Sequence, residues 1–186
     1  DERTGLIANQ VDLRLDGLPA GLDGLRLAQL TDIHLSPFLS ERQLSRAVGM
    51  ANEFRPHIAL VTGDLITSPG DWAERCLKGL SGLRPTDGIY GCLGNHEVYA
   101  RAEDYCAARG PAYGIEFLRG EARSLPFGGS ILNLGGVDYQ RLGEPYLRGA
   151  GRLVRDGQFN LLLSHNPDVF RVAPAKGNVI SSSSRT

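Results

Sequence analysis

Leu25-Arg26-Leu27-Ala28-Gln29-Leu30-Thr31-Asp32-Ile33-His34 is a short apolar run that ends on a carboxylate and an imidazole. Three later stretches repeat the pattern of strand and then polar ligand type. They are His57-Ile58-Ala59-Leu60-Val61-Thr62-Gly63-Asp64, Gly88 to Leu93 followed by Gly94-Asn95-His96-Glu97, and Phe159 to Leu163 followed by Ser164-His165-Asn166. Runs of four to six apolar residues bounded by turn signals read as buried strands. Between them lie helical patterns. Ser40 is an N-cap with Gln43 completing a capping box, and Leu44, Ala47, Val48, Ala51 and Phe54 share one face before Pro56 ends the helix. Asp71 and Glu74 repeat the capping pattern ahead of Trp72, Cys76, Leu77 and Leu80, and Glu103 to Arg109 forms a short helix closed by Gly110. Ser130 to Val137 is a further strand. The alternation predicts an α/β fold with largely parallel sheets, and in such sheets ligand residues sit outside the carboxyl ends of the strands. Looser alternation at Val11, Leu13 and Leu15 predicts an additional edge strand, with a turn at Pro19 to Gly24.

Composition narrows the class. The chain has 186 residues, 41% hydrophobic and 22% charged, which suits one globular core, and its formal charge of -1 gives no field for nucleic acid. Cys76, Cys92 and Cys106 form no CxxC pair and read as buried free thiols. Residue 1 is Asp, so the start reads as a processed or clipped end with any leader or membrane anchor lying upstream. Ser181 to Thr186 reads as a disordered or foreign tail, leaving one domain over residues 1–180 with its motifs between 25 and 170. No GxxxxGK[ST] phosphate loop and no Gly-x-Ser-x-Gly elbow occurs. Gly128-Gly129 and Gly135-Gly136 read as turns at strand edges.

Asp32, His34, Asp64, Asn95 and His165 are oxygen and imidazole donors with no thiolate among them, a set for Mn, Fe, Zn or Mg. Asp32 and His34, at i and i+2, would share a face of a continuing strand. Asp64 can bridge two cations through its two oxygens, and two ions about 3.5 to 4 Å apart can hold a hydroxide aimed at phosphorus. Taken singly, each Asp or Asn after a strand also suits a turn and each His a surface position; the joint occurrence is what points to a metal site. His57 opens a strand and reads as a solvent-facing start. Arg101 to Arg123 is a candidate pocket wall.

These motifs resemble those of the calcineurin-like metallophosphoesterases: D-x-H at Asp32 and His34, G-D at Gly63-Asp64, G-N-H-[DE] at Gly94 to Glu97, and a lone histidine at His165. The likeness runs from about Leu25 to Phe170. Its wording is similar to a bacterial branch, often membrane-associated, that includes enzymes of the UDP-2,3-diacylglucosamine pyrophosphatase type. The resemblance implies an αββα sandwich and a dinuclear centre that hydrolyses a phosphoester or pyrophosphate bond. It implies Asp32 and His34 on the first metal, Asp64 between the two, Asn95 and His165 on the second, and His96 as proton donor or oxyanion stabiliser. It also implies a phosphorylated small-molecule or lipid-linked substrate, and a place in the bacterial cytoplasm or at the membrane. The family's last motif, G-H-x-H, does not appear by Thr186. On that basis residues 1–186 are expected to form an incomplete sandwich with an open edge near Phe159 to Ser164, to bind metal weakly and to turn over slowly. The alternative is a non-catalytic binding module built on the same scaffold.

Overall fold

The computed structural model describes residues 6–37, 39–140 and 146–172, and the backbone of Asn178–Ser181. Two four-stranded sheets face each other. The first has the order β1 (Leu27–Leu30), β2 (Ile58–Thr62), β3 (Ile89–Cys92), β4 (Ile115–Phe117), all parallel. The second has the order β5 (Glu121–Phe127), β6 (Ser130–Gly136), β7 (Phe159–Ser164), β8 (Asn178–Ser181), with β5 antiparallel and the others parallel.

Strand β2 explains why the run 58–62 is apolar without alternation. Both of its faces are buried, as a parallel strand between two layers requires. Ile58 and Leu60 point between the sheets, where they meet Cys92, Leu132, Leu134, Leu161 and Leu163. Ala59 and Val61 point outward to helices α1 (Glu41–Glu53), α2 (Ala73–Leu80) and α4 (Glu103–Arg109), through Leu44, Val48, Leu77, Leu80 and Cys106. The outer face of the second sheet is covered differently. Short 3-10 turns at Ala150–Leu153 and Pro167–Arg171 bring Leu153 and Val169 onto Val137 and Leu162.

Several expectations hold. Ser40 and Gln43 make the reciprocal capping box of α1, with Gln43 N–H donating to Ser40 Oγ at 3.3 Å and Ser40 N–H to Gln43 Oε1 at 2.9 Å. All three cysteines are buried and free. Gly128 and Gly129, with φ of 55° and 84°, form the β5–β6 hairpin turn.

Others are corrected. Residues 6–15 form no strand, so Val11 and Leu13 stay exposed rather than adding an edge. Asp71 does not cap α2. Its carboxylate accepts from Thr67 N–H and Ser68 N–H at 3.0 and 2.7 Å and closes the loop before the helix. Glu74 is likewise taken by Arg109, Tyr105 and Tyr113 and ties α2 to the α4 region. Gly110 is right-handed, and the left-handed stop falls on Gly114, φ 72°. Gly135 and Gly136 lie inside β6; a Cβ on Gly136 would meet Leu118 Cβ at 2.5 Å, so close packing between the sheets requires glycine there. Arg101 to Arg123 supplies α4 and the edge strand β4 and commits Arg119 to Asp138 and Asp104, while its Arg101, Ala102 and Tyr105 line a surface cavity beside Trp72 and Arg75. His57 is partly covered: its Nδ1 accepts from Arg26 N–H at 3.0 Å and its ring lies 4.7 Å from Phe127. Finally, β7 is not an open edge, because β8 pairs with it from Leu161↔Asn178 to Ser164↔Ser181. The expected irregular tail lies, beyond Ser181, outside the described residues.

Candidate metal centre

The carboxyl ends of β1, β2 and β3 lie at one edge of the first sheet, and β7 of the second sheet ends beside them. Each end delivers one motif. The delivery of Asp32 and His34 is not by strand alternation, because β1 stops at Leu30. Asp32, His34 and Asp64 adopt left-handed backbone, φ 50°, 49° and 54°. Such conformations cost a non-glycine residue about 1–2 kcal/mol each. The pairing that holds them runs past the strands: Asp32 N–H donates to Gly63 O at 3.2 Å and His34 N–H to Asp64 O at 2.9 Å. Three strained residues of ligand type at one sheet edge mark a functional site.

Two glycines allow the loops to meet. Gly63 has φ +88°, and a Cβ there would meet Gly94 N at 2.6 Å and His165 Nδ1 at 2.7 Å. A Cβ on Gly94 would collide with the Asp64 carboxylate. Glu97 then binds the loops together. Its fully buried carboxylate accepts from Asp64 N–H at 2.9 Å, Leu65 N–H at 2.7 Å, Ile66 N–H at 3.4 Å and Gly94 N–H at 2.8 Å. Burial pushes the Glu97 carboxyl up, the Gly94 N–H draws it back, and the net shift is upward. In the sequence Glu97 is the last residue of the Gly94-Asn95-His96-Glu97 motif and carries no assigned role. The signal available was the Glu three positions after Gly94, at the start of α3 (Asn95–Tyr99). The reach of its carboxylate to residues 64–66 has no signal in sequence.

The Asp64 carboxylate is the hub. Its Oδ2 lies 3.4 Å from His34 Nε2, 3.8 Å from His96 Nε2 and 3.4 Å from His165 Nε2. Its Oδ1 accepts from His96 N–H at 3.0 Å. Asn95 Oδ1 is 3.0 Å from His165 Nε2. Two three-residue groups have ligand atoms within 4.8 Å of one another: His34, Asp64 and His96, and Asp32, Asp64 and His165. Asp64 belongs to both. All six residues singled out from the sequence are thus brought together; the grouping places His34 beside His96 and Asp32 beside His165.

The donor chemistry fits a cation. His165 Nδ1 donates to Thr62 O at 2.9 Å and His96 Nδ1 to Thr67 O at 2.6 Å. A carbonyl can only accept, so these bonds fix the tautomer and leave both Nε2 lone pairs facing the Asp64 oxygen. Lone pairs converging on a carboxylate need a positive charge between them. A divalent cation, or a proton on an imidazole, can supply it. Burial opposes charge on His165, yet Asp64 outweighs it and raises the imidazole pKa. At Asp64, burial works against the anion, but the hydrogen bond and charge of His165 prevail and lower its pKa. Asp64 and His165 are buried, while the side chains of His34 and His96 are 33% and 29% exposed, so the site has a closed floor and an open mouth.

Two tyrosines missed by sequence reading flank that mouth. Tyr99, on α3, has its ring 6.2 Å from His96 and 6.3 Å from Tyr139, whose ring is 6.4 Å from His165.

Comparison with known proteins accounts for this arrangement. A family model described as calcineurin-like phosphoesterase matches residues 25–181. A zebrafish (Danio rerio) transmembrane protein with metallophosphoesterase domain is 37% identical over 89 residues, 48% of this chain and 20% of its own length. The metallophosphoesterase YkuE of Bacillus subtilis is 28% identical over 155 residues, 81% of this chain and 54% of its own. The UDP-2,3-diacylglucosamine pyrophosphatase LpxG of Chlamydia muridarum is 32% identical over 89 residues, 47% of this chain and 27% of its own. The chain thus spans between about a fifth and about half of the length of these curated relatives. With the motifs, their convergence on Asp64 and a family match that covers most of its length, the chain belongs to the calcineurin-like phosphoesterases.

Proposed function

We propose that the protein hydrolyses a phosphoester or pyrophosphate bond with two divalent cations held by Asp32, His34, Asp64, Asn95 and His165. The observation that carries this is the single Asp64 carboxylate shared by two groups of ligand type. When bound, the cations would supply Lewis acidity and a deprotonated water as nucleophile. The protein's own part is placement. Thr62 and Thr67 carbonyls present the two Nε2 lone pairs, and the left-handed turns aim Asp32, His34 and Asp64. His96 can carry a proton for the leaving oxygen only at Nε2, since Nδ1 is committed to Thr67, and its partial exposure puts that proton at the mouth.

The substrate we favour is a phosphorylated small molecule or a lipid-linked phosphate, in keeping with the UDP-2,3-diacylglucosamine pyrophosphatase among the relatives. A place at the bacterial membrane surface or in the cytoplasm goes with it; a relative named as a transmembrane protein supports the former. Among the described residues, no helix is long and apolar enough to cross a membrane.

The test is turnover of bis-p-nitrophenyl phosphate and p-nitrophenyl phosphate by protein stripped with chelator and reloaded with Mn, Mg or Zn. Activity should return only with metal. Chelator-resistant turnover, or a trapped covalent phosphoenzyme, would overturn the reading.

A further inference from the structure

The rings at the mouth form a continuous arc. His34 and His96 are 4.5 Å apart, His96 and Tyr99 6.2 Å, Tyr99 and Tyr139 6.3 Å, and Tyr139 and His165 6.4 Å. The three histidines all face Asp64 Oδ2. The two tyrosines span the remaining gap, one from each half of the sandwich. Tyr99 is three residues after His96 on the same short helix, so one turn brings both side chains to one face. Tyr139 follows β6 and is fixed by the residue beside His165. Asn166 accepts from Gln140 N–H at 2.9 Å and donates to Gln140 O at 3.2 Å, which clamps the backbone next to Tyr139 from both sides. Asn166 is buried, so this clamp belongs to the floor of the site.

Tyr99 is 63% exposed, and among the described residues neither ring belongs to a core cluster. Burial, followed by the neighbouring Tyr99 phenol, pushes the Tyr139 pKa up, so Tyr139 is a neutral O–H donor at ordinary pH.

We propose that Tyr99 and Tyr139 are substrate-contacting residues: a two-phenol clamp across the mouth whose hydroxyls donate to the non-bridging oxygens of the bound phosphoryl group. This rests on the phosphoesterase reading above. Cations on the floor can neutralise only the oxygens that face them. The oxygens turned to solvent need donors from the rim, and fixed neutral O–H groups supply them without reorganisation. Each hydroxyl would give the phosphoryl group one charge-assisted bond.

Tyr139→Phe and Tyr99→Phe keep each ring and remove only the hydroxyl. Calorimetry gives Mn affinity first, then inorganic phosphate affinity of the Mn-loaded protein, and steady-state kinetics on bis-p-nitrophenyl phosphate follow. Each variant should bind Mn as the wild type does and bind phosphate about tenfold more weakly, the loss expected for one hydrogen bond to a charged group. KM should rise with little change in kcat, as when an interaction common to ground and transition states is removed. In Tyr99→Phe/Tyr139→Phe the two losses should not add, because the rings are neighbours 6.3 Å apart that would share one phosphoryl group. Unchanged phosphate affinity in both variants overturns the clamp, and so does a parallel fall in Mn affinity, which would make the pair structural. Wild-type protein that binds Mn but no phosphate refutes the clamp and leaves the metal centre standing. Wild-type protein that binds no Mn removes both.

Discussion

Replacing Glu97 by Gln should loosen the metal centre without touching a ligand. The substitution conserves shape, so it leaves no cavity. What changes is acceptor count. Glu97 Oε1 takes the N–H groups of Leu65 and Ile66, and Oε2 takes those of Asp64 and Gly94. In either orientation a Gln amide keeps one oxygen and turns its NH2 against two backbone N–H groups. Hydrogen bonds to a charged group contribute about 1.5–3 kcal/mol each, so two lost bonds cost roughly 3–6 kcal/mol. Part of this returns, because a buried charge that burial disfavours is removed. A net loss of about 2–4 kcal/mol is expected, a large share of a typical ~5–15 kcal/mol stability. For a chain of this size that is a fall in Tm of roughly 5–15 °C. Mn affinity should fall as well, because the loops carrying Asp64 and Asn95 are no longer tied to one carboxylate. Thermal melting of metal-free protein and calorimetric Mn titration read the two effects separately. A Tm within about 2 °C of wild type, together with unchanged Mn affinity, would refute the claim that Glu97 positions these loops.

Three further outcomes are expected. Gly94→Ala should abolish metal binding, since its Cβ must occupy the space of the Asp64 carboxylate; wild-type metal content by elemental analysis would show that the loops yield. Asp64→Asn should remove more activity than His96→Asn, because loss of a general acid costs about 10²- to 10⁴-fold and leaves metal bound, whereas loss of the hub carboxylate empties both groups; equal metal occupancy in Asp64→Asn and wild type would contradict this. Glu74 is held at about 2, below its ordinary 4.5, by its bonds to Arg109, Tyr105 and Tyr113. A carboxylate with a depressed folded pKa stabilises the protein above its unfolded value and loses that contribution as pH falls toward the folded one. The Tm difference between wild type and Glu74→Gln should therefore be full above about pH 5 and gone near pH 2; a difference that does not change with pH would assign Glu74 a packing role instead.

Expectation and structure part company at identifiable residues. Asp32 and His34 reach the site, yet through left-handed turns and not along a strand, because i and i+2 spacing is compatible with both. The segment 115–127 holds two strands that the sequence did not announce. Strand β5 alternates exposed and half-buried residues and has charges at Glu121 and Arg123, so it lacks the apolar run that marks β2. Asp71 and Glu74 imitate a capping pair, and only the position of Arg109, Tyr105 and Tyr113 reveals that Glu74 serves tertiary contacts.

The layered α/β class, the strand-end placement of Asp32, Asp64, Asn95 and His165, and the oxygen-and-imidazole chemistry of the site were all legible in the residues alone. Those properties are local: strand burial is written in short apolar runs, and donor chemistry belongs to each side chain alone. That Asp64 is the hub, that Glu97 ties residues 64–66 to Gly94, and that the Tyr99 and Tyr139 rings are neighbours follows from the packing of the two sheets. Each of those joins residues about 30 to 100 positions apart, as in the bond of His165 to Thr62 O at a separation of 103. Such contacts depend on how two sheets pack and where their edges coincide, which no short stretch of chain encodes.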